Sequence, residues 1–414
     1  MKSVTASTQE ILPTRSSERY IILDMLRGFA LLGICLANYS EFSLYSFLPR
    51  EATDTFYTAP TDKVVRFLQY VFVDGKFYTL FSLLFGIGFS IILTNAARKG
   101  IGALALFYRR TVILFFIGLF HLLCLWAGDI LILYAALGML LPLFRKASNG
   151  TLLVFALVLL LLPIVIDGCI VLFGWQLSAP VVRATEHFHQ KFGITPANFP
   201  VWLAESQSYV DVLRFNLAGS FIRMQEFIEG NRAFKVLGLF LLGLYIGRNR
   251  LYARLPENKK LLKQVVTYGT LLGLPTSIIY GYEAVNGHPF GLVGHSVIYL
   301  LSVVPLGFAY AAAICLFYLK NSERKVFTLW AAPGRMALTN YLMQSVLGMF
   351  LFYGIGLEWG ARTGLVYVEL IAIAIFALQM WYSYYWLRAM QYGPFEWVWR
   401  MLTYGKRLPI RRKE

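Results

Sequence analysis

Residues 110–146 read RTVILFFIGLFHLLCLWAGDILILYAALGMLLPLFRK. Only Trp126-Ala127-Gly128-Asp129 separates the two apolar runs, and Arg110 at one end and Arg145 with Lys146 at the other close the unit. A bilayer core of about 30 Å accommodates about 20 mostly apolar residues as helix. The unit therefore reads as a tight transmembrane hairpin with both ends on one side. It also carries His121 and Asp129, polar groups that hydrocarbon surroundings make costly.

Working outward, ten segments satisfy the same length test: 22–40, 76–96, 110–127, 129–145, 151–173, 233–248, 264–283, 294–319, 336–354 and 364–387. The expected fold is all-α, a polytopic membrane bundle of about ten transmembrane helices. Composition agrees. Apolar residues make up 58% of the 414 residues and charged residues 14%, against about 45–50% and about 25% in soluble domains. That excludes a disordered, collagenous or disulfide-rich secreted chain. The formal charge of +16 would ordinarily suggest nucleic acid. Here the basic residues lie between apolar runs, so they read as topology signals and no nucleic-acid partner is assigned. The four cysteines, Cys35, Cys124, Cys169 and Cys315, sit inside apolar runs without a CxxC and read as small buried hydrophobes. The first apolar run is too long for a signal peptide core and reads as an uncleaved first span.

With the N-terminus in the cytoplasm and alternating spans, 26 of the 38 basic residues fall on the cytoplasmic side. The rule that cytoplasmic loops are enriched in Lys and Arg thus predicts N-in, C-in. The chain divides into a cytoplasmic segment 1–21, a five-helix half 22–173, an extracytoplasmic loop 174–232, a second five-helix half 233–388 and a basic tail 389–414. In the loop, Val210, Leu213, Leu217, Phe221, Met224 and Ile228 recur at helical spacing and predict an amphipathic helix with this apolar face, lying on the outer surface or capping the bundle, as a surface cap or a substrate lid. Trp397, Trp399 and the basic residues after them suit a membrane interface and anionic lipid.

Asp24 and Arg27 stand three apart, in reach of each other on one helix face. Eleven residues separate Arg27 from Asn38, and eleven separate Arg110 from His121. Each pair climbs about 16 Å and returns near the same face. Asn38 and His121 are therefore expected at similar depth, each outward of an arginine. Asp129 can orient His121. Asp74 and Lys76 stand at the outer mouth of the second span, and Asp167, Glu283 and Glu369 in the outer halves of theirs; His288 and His295 flank the outer side. The expected interior is polarised, with arginines toward the cytoplasm and proton-handling groups outward. No GxGxxG after a strand, P-loop, HExxH or GxSxG is present, and no metal ligands are assigned.

Five stretches carry a family resemblance: LDMLRGFALLGICLAN (23–38), GKFYTLFSLLFGIGF (75–89), HLLCLWAGDILILYA (121–135), GRMALTNYLMQS (334–345) and GPFEWVWRMLTYG (393–405). Together they resemble the YeiB-like bacterial membrane proteins that carry domain of unknown function 418, a family without a settled activity. The first stretch is also similar to membrane acyltransferase family 3 and to enzymes of the heparan glucosaminide acetyltransferase type. Those enzymes move acyl groups from cytoplasmic acyl-CoA to a sugar on the far side. That resemblance implies an anion-binding role for Arg27. It also places Asn38 where the acyltransferase pattern has its catalytic histidine, and an amide is no base at neutral pH.

The reading that follows is a membrane-embedded acyltransferase. Arg27, Arg110 and Arg335 would hold the phosphates of acyl-CoA, the possible co-substrate, with no tightly bound cofactor. Asn38 would donate to the oxyanion, and His121 with Asp129 would supply the base. Asp74, Lys76, Asn340 and Glu369 complete the expected substrate-binding set, facing an extracytoplasmic acceptor. Two other readings stay open: a proton-coupled small-solute transporter, and a structural or regulatory membrane protein without catalysis. Interior Pro163, Pro275 and Pro305 suit a carrier, although no inverted repeat is visible.

Overall fold

The computed structural model describes residues 20–98, 102–321 and 326–412. Lys2, Arg15, Arg19, Lys99, Arg324, Lys325 and Lys413, all used in the topology reading, lie outside them. Among the described residues there is no strand, only an isolated bridge between Met390 and Arg411.

The bundle opens with α1 (Ile21–Phe42), α2 (Ala59–Phe72) and α3 (Lys76–Arg98). The hairpin follows as α4 (Ala103–Phe120), a π turn at His121–Leu125 and α5 (Leu131–Gly138). Next come α6 (Asn149–Phe173), α7 (Ala179–Phe192), α8 (Tyr209–Glu229), α9 (Arg232–Arg248), α10 (Lys259–Val285) and α11 (Gly291–Asn321). The chain ends with α12 (Val326–Arg335), α13 (Ala337–Phe352), α14 (Leu365–Ala389) and α15 (Pro394–Tyr404). Each of the ten apolar segments falls on a helix, and α4 begins well before residue 110. Among the described residues, six helical stretches are long and apolar enough to cross a membrane alone, and α13 and the α5 region are shorter apolar helices. On α6, α10 and α14 large apolar side chains such as Leu157, Leu172, Leu271, Ile279, Leu370 and Trp381 stand exposed. Such an apolar perimeter is what lipid covers and water does not tolerate.

Two contacts tie the sequence stretches together. Helices α1 and α12 cross where Gly28 meets Gly334: a Cβ at Gly334 would sit 1.9 Å from the Asp24 carbonyl oxygen, and one at Gly28 2.3 Å from that of Trp330. Only glycine permits backbones this close. The second contact is made by the tail. Glu396 of α15 accepts the Leu338 and Thr339 N–H groups at 2.7 and 3.1 Å and the Thr339 hydroxyl at 2.6 Å. A carboxylate there satisfies orphan donors and complements the helix dipole. Burial nonetheless pushes the Glu396 carboxyl above its usual range, against the opposing effect of these hydrogen bonds. Asp62 does the same for α14, accepting from Val366 N at 2.9 Å.

One expectation needs correction, and two regions add structure to the sequence reading. Between the first two spans lies α2, which ends shortly before α3 begins. The tail carries α15, which packs back onto α13 and α4. The amphipathic helix exists as α8, but its buried face is Val212, Phe215, Asn216, Gly219 and Arg223, while Val210 and Met224 are exposed. Polar residues on the buried face misled a reading based on apolar spacing.

Candidate functional site

Among the described residues, two cavities stand out within the bundle, and α1 lines both. The larger, about 490 Å³, takes Asp24 and Arg27 from α1, Arg110 from α4, Arg250, Arg335 from α12, and Glu396, Trp399 and Arg400 from α15. Its other wall is apolar, with Phe81, Leu84, Phe85, Phe107 and Leu114. Arg27 pairs with Asp24 at 2.6 Å. The Arg110 guanidinium lies 3.8 Å from the centre of the Trp399 ring, whose indole N–H donates to the Arg110 carbonyl at 2.9 Å. Five guanidiniums against two carboxylates leave this cavity strongly positive.

The second cavity, about 300 Å³, lies farther along α1 and carries both signs of charge. Asn38, Glu41, Asp74 and Asp129 line it with Arg66, Arg223 and Arg232. Arg223 reaches in from α8, pairs with Glu226 at 2.6 Å and approaches Glu41 at 3.6 Å, with Trp126 beneath it at 5.7 Å. On α3, Phe77 lines this cavity while Phe81, one turn away, lines the other. Four residues of helix rise about 6 Å. The partition is completed by Tyr134, whose hydroxyl lies 2.7 Å from Ser82 Oγ and donates to the Tyr78 carbonyl at 3.1 Å.

Behind the second cavity lies a buried chain of three side chains. His121 Nδ1 is 2.8 Å from Asp129 Oδ1, and Nε2 is 2.7 Å from Ser345 Oγ. Asp129 Oδ2 accepts the Ile132 N–H at 2.8 Å, so the same carboxylate caps α5 and orients the imidazole. A carboxylate only accepts, so Nδ1 carries a proton, and in the neutral imidazole Nε2 is the acceptor facing the Ser345 hydroxyl. The tilted Tyr341 ring, one helical turn before Ser345, packs on His121 at 4.8 Å. His121 begins the π turn, and its carbonyl accepts the Trp126 N–H at 2.8 Å. The wide turn frees the Leu123 and Cys124 carbonyls, which accept from Asn216 and Tyr209 of α8. Such π turns are frequent at functional sites.

The structure thus gathers Arg27, Arg110 and Arg335 in one cavity and Asn38, Asp74 and Asp129 in the other. His121 lines neither; it is fully buried behind Asp129 and Tyr341. Lys76 is also buried, donating to the Tyr70 carbonyl at 2.6 Å, and Asp74 accepts from the Tyr280 hydroxyl at 2.5 Å. Asn340 faces neither cavity. Its amide donates to the Pro333 carbonyl and Ser383, and accepts from Tyr382, tying α12 and α13 to α14. Glu369 touches the second cavity indirectly, accepting from the cavity-lining Gln69 at 2.5 Å. Sequence reasoning passed over Ser345, Tyr341, Arg223 and Arg400. Tyr341 and Ser345 lie four apart within a quoted stretch, so helical spacing alone puts them on one face.

Fold and site together define a multi-pass helical membrane protein with two charged interior cavities. The family described as "Protein of unknown function (DUF418)" matches residues 246–406. An uncharacterized Bacillus subtilis protein, YxaH, is 31% identical over 97% of this chain and 98% of its own length. YeiB of Escherichia coli, also uncharacterized, is 27% identical over 93% of this chain and 96% of its own length. A Bacillus acidopullulyticus protein known as the uncharacterized 39.9 kDa protein in amylase 3' region is 27% identical over 97% of this chain and 99% of its own length. The chain belongs to this YeiB-like family of membrane proteins of unknown function. No solved structure matches it.

Proposed function

We propose that the protein moves an acyl group from cytoplasmic acyl-CoA to an acceptor on the other face of the bacterial cytoplasmic membrane. The carrying observation is the placement of the Asp129–His121–Ser345 chain behind a mixed-charge cavity, one helical turn from an arginine-lined one. The arginine cavity suits the phosphates of the donor, and its phenylalanine wall suits the pantetheine arm, which carries the thioester across the partition to the second cavity. In the second cavity, Asn38 donates a hydrogen bond to the oxyanion that forms at the thioester carbonyl. The acceptor hydroxyl takes the place of Ser345 at His121 Nε2, using the slack of the π turn, and loses its proton there. Its oxygen bonds to the carbonyl carbon, the C–S bond breaks, and the thiolate leaves with the proton from the imidazolium. Asp129 is a positioning residue that fixes the imidazole tautomer.

The test uses full-length protein in lipid nanodiscs with labelled acetyl-CoA. The reading requires saturable binding, weakened at least tenfold by Arg27→Ala with Arg110→Ala, and acyl transfer that is lost in His121→Ala while binding persists. Absence of binding at millimolar donor ends the reading. Label trapped covalently on Ser345 would replace direct transfer by a two-step one. The thin partition also supports a second reading, a solute carrier closed at its middle. Proton-gradient-driven solute accumulation in proteoliposomes, without acyl-CoA binding, would favour it.

A further inference from the structure

The turn between α10 and α11 holds a group that neither cavity uses. Glu283 lies in the last turns of α10, His288 in the turn itself and His295 in the first turns of α11. Glu283 Oε1 is 3.4 Å from His288 Nδ1, and Oε2 is 3.2 Å from His295 Nδ1. One ligand atom from each residue falls within 4.8 Å of the other two. The two imidazole planes stand nearly perpendicular, 88° apart with centroids at 4.7 Å.

Burial makes this more than a polar cluster. Glu283 is wholly buried, yet its Oε1 has no hydrogen-bond partner. A buried, unpaired carboxylate oxygen is costly, and each such atom calls for an explanation. This one faces the His288 imidazole at 3.4 Å but without the geometry of a hydrogen bond. His288 is 51% exposed and His295 26%, so the group is deep on its carboxylate side and open to water on the other. His288 reaches its position from a left-handed backbone (φ +58°), which is uncommon outside glycine, with its N–H donating to the Glu283 carbonyl at 3.0 Å.

We propose that Glu283, His288 and His295 bind a divalent transition-metal cation of the zinc type. Two imidazoles and one carboxylate are a common zinc donor set, with a fourth position left for water. Bonds of about 2.0–2.1 Å in a tetrahedron put neighbouring ligand atoms about 3.4 Å apart. Each imidazole already stands at 3.2 or 3.4 Å from one of the two carboxylate oxygens. The set closes within 4.8 Å, so a small inward turn of the side chains completes the site. Magnesium or calcium would call for more oxygen donors. The ion ties the ends of α10 and α11 together. Through α10 it steadies α2, because Ser277 donates to the Val71 carbonyl at 2.8 Å and Tyr280 holds Asp74 of the mixed-charge cavity. The site is thus a staple at the rim of that cavity, independent of any acyl transfer.

The experiment is equilibrium dialysis of full-length, chelator-treated protein in nanodiscs against Zn2+, with Co2+ as the spectroscopic probe. The expected result is one zinc per chain, the visible absorption of tetrahedral Co2+, and a metal-dependent rise in melting temperature. His288→Ala removes the most exposed ligand with little risk to folding. It should weaken zinc at least tenfold and abolish the cobalt spectrum, leaving the metal-free melting temperature unchanged. His295→Gln should act likewise. Sub-stoichiometric zinc, or zinc retained equally by both variants, overturns the proposal and leaves a histidine–carboxylate hydrogen-bond cluster.

Discussion

The two cavities are built from the same helix and differ in kind. The arginine-lined cavity is bounded by rigid contacts: the Gly28–Gly334 crossing, the Glu396 cap and the Arg110–Trp399 stack. The mixed-charge cavity is bounded by the connecting segments, with Arg66 from α2 and Arg223 and Phe227 from α8. One end is thus a fixed socket for negative charge. The other is covered by elements that depend on cross-contacts, where recognition can change with little cost to the core. An electrostatic site with a preorganised wall suits a constant donor group, and an adaptable one suits a variable acceptor.

Substitutions at the two ends should separate accordingly. The largest effect is expected for His121→Ala, a loss of about 10²–10⁴ in transfer rate with donor binding intact, read by single-turnover transfer of labelled acetyl. Gly334→Ala should come next. Its Cβ meets backbone rather than a movable side chain, so destabilisation of about 3 kcal/mol is expected, seen as lost folded yield and melting temperature. Glu396→Ala strips α13 of its cap and should cost about 2 kcal/mol, and it should weaken the donor end while leaving the acceptor end alone. Ser345→Ala should be mildest, about 1 kcal/mol for one hydrogen bond, with transfer kept within a few-fold. If Ser345→Ala were as inactive as His121→Ala, the serine would be the acyl carrier and the division of labour between the cavities would need redrawing.

Much of the bundle was legible because hydrocarbon imposes long apolar runs, and each such run is a helix. The sequence also placed Arg27, Arg110 and Arg335 toward one end and Asn38 and Asp129 toward the other, since helical rise converts sequence separation into depth. What escaped is what depth cannot encode. Ser345 reaches His121 across 224 positions, a contact no spacing rule contains. The buried face of α8 carries Asn216 and Arg223 to serve the π turn and the cavity, so its apolar pattern pointed the wrong way. The role of Glu396 was hidden because a carboxylate in a basic tail looks like a surface residue until α15 folds back. Glu283, His288 and His295 are spaced five and seven apart across a turn, unlike any single-helix ligand pattern.

The central claim is that donor and acceptor are handled at opposite ends. Membrane vesicles of defined orientation test it most directly: labelled acyl-CoA is supplied on one side only, and label is followed on an acceptor confined to the other. The account predicts transfer only when the donor faces the Arg27–Arg110–Arg335 cavity, and none from His121→Ala. Transfer from donor supplied at the Arg223 side, or no donor binding from either side, would contradict it.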